Sequence, residues 1–120
     1  LLGTFHSIWG WVAIGVDTVA GFYGIGFAIL KRVPGKVFGA AVGAAIAASL
    51  VQVTVGVILY ALGERPGRMH VMYGVLTAAS LAIIYTYKGE MSGKHRALRW
   101  GLFCLLLAGL GLRAVATYAG

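Results

Sequence analysis

FHSIWGWVAIGVDTVAGFYGIGFAIL, residues 5–30, carries a single charged side chain, Asp17, over more than the about 20 helical residues that cross a hydrocarbon core. Three further apolar stretches follow at residues 37–62, 70–87 and 97–118. The third is the shortest and is expected to take its first turn from the connection before it. The connections KRVPGK (31–36), GERPGR (63–68) and KGEMSGKHR (88–96) are brief and polar. Pro34 with Gly35 and Pro66 with Gly67 are expected to stop one helix and allow reversal into the next. Short connections make successive helices antiparallel neighbours, so residues 1–120 are expected to form one all-α domain, an integral membrane four-helix bundle.

Composition agrees with that reading. Of 120 residues, 60% are hydrophobic and 11% charged, against the roughly 25% charged residues of a soluble domain. The net charge of +7 is mostly topology. Lys31, Arg32, Lys36, Lys88, Lys94, Arg96 and Arg99 fall on the side of the first and third connections, and only Arg65 and Arg68 on the other. Basic residues collect on the inner side, so both termini are expected outside. Such a rim argues for contact with membrane lipid and against a nucleic-acid partner. The first stretch is longer than the apolar part of a cleaved secretory signal and lacks a basic leader, so it is read as a span. Cys104 is the sole cysteine, which excludes an internal disulfide.

The chain also repeats itself. FHSIWG (5–10) and MHVMYG (69–74) each place a histidine, an aromatic residue three positions on and a glycine four positions on. In a helix this puts His6, Trp9 and Gly10 on one face, and His70, Tyr73 and Gly74 on another. At the same offset Tyr23 matches Tyr87. The repeat predicts two antiparallel hairpins related by a pseudo-twofold axis along the membrane normal, with His6 and His70 at equal depth near the outer face.

Small residues predict where the helices close. The stripe Gly10, Ala13, Asp17, Gly21, Gly24 and Ala28 runs along the first helix, and GAAVGAAIAAS (39–49) adds Gly39 and Gly43 in small-xxx-small spacing. Such residues let helices approach in lipid. Gly10 and Gly74, each a turn deeper than a histidine, are also the positions that leave clearance for a flat macrocycle.

These features assemble into a haem site. Two neutral imidazoles on facing helices ligate haem iron and leave no open position, which favours electron transfer. His6 and His70 are the expected iron ligands, with Gly10 and Gly74 beside the ring. Arg68, Arg113 and Arg65 are the cations on the propionate side. Arg113, about 24 Å along its helix, needs a partner or a route to water, and snorkelling outward is the plain alternative. Asp17, about 16 Å deeper than His6, is too remote to ligate; it is expected to accept a hydrogen bond from Thr18, Thr54, Gln52 or Tyr85, to carry protons, or, as the conservative choice for a buried carboxyl without a cation, to stay neutral. Met69 and Met72 beside His70 make a minor copper alternative, and His95 is a solvated loop residue. Trp11, Tyr60, Trp100, Tyr87 and Tyr118 fit interfacial anchoring.

FHSIWG and MHVMYG, with the overall hydropathy, resemble membrane b-type cytochromes of the four-helix kind, in particular one half of haem A synthase. The resemblance implies a helical bundle with haem-ligating histidines near the outer face. The chain departs from that family in having four helices and in lacking the glutamate that follows close on a histidine in its catalytic half. What the resemblance implies is therefore haem binding, not haem A synthesis. MHVMYG with IIYTYKG (83–89) is also similar to small four-helix bacterial proteins, a likeness that implies no function.

The expectation is a haem b-binding electron-transfer subunit of the bacterial inner membrane, non-catalytic by itself and assembled with other membrane subunits of a respiratory or photosynthetic complex. Two rivals stand beside it. One is a cofactor-free accessory subunit, and the other a bacteriochlorophyll- or carotenoid-binding subunit.

Overall fold

Within lipid, every backbone N–H and C=O has to be paired inside the chain, so an apolar run of this length closes on itself as a helix. The computed structural model describes residues 1–119 and arranges them as α1 (Leu2–Ile29), α2 (Lys36–Ala61), α3 (Arg68–Thr86) and α4 (Arg96–Ala116). A 3-10 turn, Lys88–Met91, lies between α3 and α4. Each of the four helices is long and apolar enough to cross a membrane. The bundle measures 47 × 25 × 21 Å. Its long axis exceeds a hydrocarbon core of about 30 Å, leaving both ends for the headgroup region.

The helices start one to three residues before the apolar stretches suggest, and α3 does take its first turn from the preceding connection, at Arg68. The reversals are made elsewhere than at the prolines. Lys31 (φ 53°) and Gly63 (φ 106°) adopt left-handed conformations just beyond α1 and α2. There Arg32 N–H donates to Phe27 O and Glu64 N–H to Leu59 O, pairing the last carbonyls of each helix. Pro34–Gly35 and Pro66–Gly67 instead lead into the next helix, with Gly35 and Gly67 at the caps.

Packing around the bundle is unequal. α1 is engaged most extensively with α4 and next with α2, α3 leans on α4, and α2 meets α3 lightly. Glycine explains the first of these. A Cβ on Gly24 would lie 2.6 Å from Ala97 O and 2.8 Å from Gly101 Cα, and one on Gly101 would lie 2.9 Å from Gly21 O. The α1 stripe therefore does close against a neighbour, and the neighbour is α4. Gly39 and Gly43 of α2 are exposed, and a Cβ on either would meet nothing within 4 Å. The small-xxx-small spacing there does not mark a helix–helix contact within the chain. In lipid, spacing permits close approach but does not create a partner.

Two apolar clusters fill the interior. Ala20, Phe38, Val42, Ala45 and Cys104 join α1, α2 and α4. Leu81, Phe103 and Leu107 attach α3, whose only buried residue is Leu81. The end of the bundle carrying the first and third connections is tied by Arg96, whose Nη2 donates to Pro34 O at 2.8 Å. The two hairpins thus meet unequally, tightly at α1–α4 and loosely at α2–α3.

Candidate functional site

Because α1 and α3 stand across the bundle from each other, the space between them near the termini is not closed by helix contact. A cavity of about 590 Å3 lies there, within the range of about 300–1,000 Å3 typical of small-molecule sites. His6 and His70 both line it, together with Gln52, Gly56, Ala114 and Tyr118. The two imidazole ring centres are 6.3 Å apart and the ring planes are inclined at 78°. Sequence alone brought these two histidines together, and the structure places them across a shared space at one end of the bundle.

The histidines are held differently. Ala114 O is one of the last carbonyls of α4, which have no partner within the helix. His70 Nδ1–H donates to it at 2.6 Å. That bond requires the proton on Nδ1 and leaves Nε2 with a free lone pair. Tyr118, edge-on to His70 at 5.1 Å between ring centres, packs beside it, and Gly67 N–H donates to Tyr118 O at 2.8 Å. His6 Nδ1, in contrast, is buried without a hydrogen-bond partner. Its Cε1–Nε2 edge rests against α2 at Gly56, where a Cβ would lie 3.1 Å from Cε1 and 3.7 Å from Nε2.

Gln52 organises the α1–α2 side. Its Nε2–H donates to His6 O at 2.8 Å, while its Oε1 is buried without a partner. The amide sits in the notch left by Gly10, where a Cβ would approach Nε2 to 2.8 Å. Gly10 thus makes room for Gln52. Gly74, beside which nothing lies within 4 Å, keeps open the clearance expected for a ring. Both glycines line the cavity.

Further along the same cavity are Asp17 and Ser49, 2% and 4% exposed. Ser49 Oγ–H donates to the Asp17 carboxyl, at 3.2 Å to Oδ2. The donor is not among those expected. Thr18 Oγ1–H donates to Ile14 O, Gln52 is turned to His6, Thr54 is exposed, and Tyr85 is 65% exposed. Ser49, Gln52 and Gly56 recur at i, i+3 and i+7 on α2, the spacing of one helix face. That pattern was present in the sequence but masked by the alanines around Ser49.

The remaining expected residues lie off the cavity lining. Arg68 and Arg113 are exposed. Arg113 Nε–H donates to Tyr73 OH at 3.2 Å, and its guanidinium stands 5.4 Å from that ring centre. Arg65 donates to Tyr60 O and stacks over the Tyr60 ring at 3.9 Å. Trp9 Nε1–H donates to Ala48 O, which turns the indole to α2. Met69 and Met72 are exposed and line no part of the cavity, and His95 is exposed as expected.

His6 and His70 are the two imidazole side chains of the cavity that could ligate a metal ion. Two imidazoles sharing one metal, each with a metal–nitrogen bond of about 2 Å, place their ring centres about 6 Å apart; the ring centres here are at a similar separation, while the His6 Cε1–Nε2 edge rests against Gly56. His70 also shows the outer hydrogen bond to a backbone carbonyl that commonly orients a ligating imidazole. In comparisons with protein-family models, curated proteins and solved structures, the chain has no match.

Proposed function

We propose that the protein is a membrane b-type cytochrome subunit that holds one haem b between α1 and α3 through His6 and His70. The observation that carries this reading is the histidine pair facing across one cavity at 6.3 Å. A haem held by His6 and His70 would supply one-electron redox chemistry. His70 presents Nε2 because its Nδ1–H is committed to Ala114 O. His6 faces it from α1, and Gly74 leaves space beside the α3 backbone. The lining is mostly apolar, and electron exchange would run to a neighbouring membrane subunit of a respiratory or photosynthetic assembly. The resemblance of FHSIWG, MHVMYG and the overall hydropathy to one half of haem A synthase accords with this reading.

The decisive experiment is an oxidised-against-reduced absorption spectrum of the detergent-purified protein, with a pyridine haemochrome assay. The expected result is a sharp reduced α band and one haem b per chain. A folded preparation that stays colourless after incubation with hemin would count against haem binding and favour the cofactor-free accessory subunit.

The same reading sets the protein in a bacterial inner membrane with both termini outside and the seven cations of the first and third connections inside. In intact cells from which the outer barrier has been removed, a membrane-impermeant thiol reagent is expected to modify Glu64→Cys and not Ser92→Cys. Both positions are exposed, and Cys104 is buried. The reverse labelling pattern would invert the topology.

A further inference from the structure

α2 meets α3 only lightly, and the two helices leave between them a groove of about 550 Å3. Leu50 and Val53 of α2 line it with Ala78, Ala82 and Ile84 of α3 and Trp100 of α4. The lining turns polar at one end, where Tyr85 and Lys88 stand beside the first and third connections. Lys88 Nζ lies over the Tyr85 ring, 4.6 Å from its centre, an attraction that holds the ammonium at the mouth. Among the described residues, no carboxylate lines the groove. It shares only Val53 and Ala78 with the cavity of His6 and His70.

Length and charge identify what fits. The ten residues from Ala78 to Lys88 span about 15 Å at helical rise, half of a hydrocarbon core of about 30 Å. The groove therefore runs from the charged end to the bilayer middle, which is the reach of an acyl chain in one leaflet. A helix from another chain would need a seam through the whole core. Glu90 is the only acid to set against the seven cations at this end. An anionic headgroup is drawn there, whereas a zwitterionic one brings a further ammonium.

Going beyond the haem reading and independent of it, we propose that the groove binds one anionic phospholipid, with an acyl chain along α2 and α3 and the phosphate on the Lys88 ammonium. The contact is ionic and apolar, and no covalent bond changes. The groove holds the chain of any lipid of suitable length, so the preference for negative charge rests on Lys88.

Native mass spectrometry of the detergent-purified protein, with phosphatidylglycerol or phosphatidylcholine of identical acyl chains, is the test. Wild type is expected to retain one phosphatidylglycerol per chain and to hold phosphatidylcholine about fivefold more weakly, the effect of one cation on an anionic headgroup. Lys88→Ala is expected to remove that difference. Lys94→Ala, exposed at the same end but outside the groove, is expected to keep it. Ala82 is exposed on the groove and Ala79 is exposed beside it. Ala82→Phe, which fills the place of the acyl chain, is expected to lose both lipids, and Ala79→Phe to match wild type.

Equal retention of the two lipids by wild type would overturn the inference. So would equal effects of Lys88→Ala and Lys94→Ala, or an Ala82→Phe variant that binds as wild type does. A wild type that is dimeric and lipid-free, with Ala82→Phe monomeric, would assign the groove to a second copy of the chain instead. None of the four substitutions alters a buried side chain, and circular dichroism checks that each variant is folded. Hemin binding, present or absent, leaves every one of these outcomes readable.

Discussion

Gly101→Leu is expected to keep α1 and α4 from closing and to leave most of the protein unfolded or aggregated in mild detergent. The atoms that a side chain at 101 would meet are backbone atoms of α1: Gly21 O at 2.9 Å, Ile25 N at 3.1 Å and Gly24 C at 3.2 Å from the Cβ position. None of them can rotate away as the tip of a side chain does. The opposing position is equally tight, since a Cβ on Gly24 would meet Ala97 O and Gly101 Cα. Overpacking that side chains can absorb costs about 1–3 kcal/mol, and a rigid clash belongs at or above the upper end. The control is Gly15→Leu, an exposed position on α1 with nothing within 4 Å of its Cβ site. It is expected to match wild type within about 0.5 kcal/mol. Circular dichroism followed through an SDS titration separates the two. Equal midpoints for Gly101→Leu and wild type would show that the α1–α4 contact does not hold the bundle together.

The second large effect concerns the cavity. In the double variant His6→Ala, His70→Ala, haem absorbance is expected to be absent from the purified protein, with helical circular dichroism unchanged. The cost to the fold is modest. Removing His70 takes from Ala114 O the shorter of its two side-chain hydrogen bonds and leaves the one from Thr117 Oγ1–H at 3.4 Å, a loss of about 1 kcal/mol. His6 contributes no such bond through Nδ1, and its backbone carbonyl, which holds Gln52, remains in the variant. Loss of colour with retained structure would identify the pair as the ligands. Full haem occupancy in the double variant would reject bis-histidine ligation and direct attention to other cavity groups, Tyr118 first among those near His70.

The juxtaposition of His6 and His70 was legible because both stand four residues before a glycine at the start of an apolar run, and antiparallel hairpins return such starts to the same end. The difference between them was not. Nothing in the repeated motif says that one imidazole meets a helix-terminal carbonyl while the other meets a glycine recess, because Ala114 and Gly56 belong to different helices and carry no polar side chain that marks them. Arg113 shows the converse problem. Its depth along α4 was readable, but its direction was decided by Tyr73, on α3, rather than by the cavity.

Length and apolarity alone determined four helices able to span a membrane, since lipid demands internal backbone pairing from any segment of that kind. Which faces meet was decided only in three dimensions. In water, an apolar stripe announces the buried side of a helix, but here apolar residues cover every side, and many of the largest are exposed. Contact then depends on shape. Gly24 and Gly101 interlock because their backbones fit, while Gly39 and Gly43, identical in residue type, face outward. The cavity follows from the same cause: α4 takes the close place beside α1, α3 is held off across the bundle, and His6 and His70 are left facing one another over the space between.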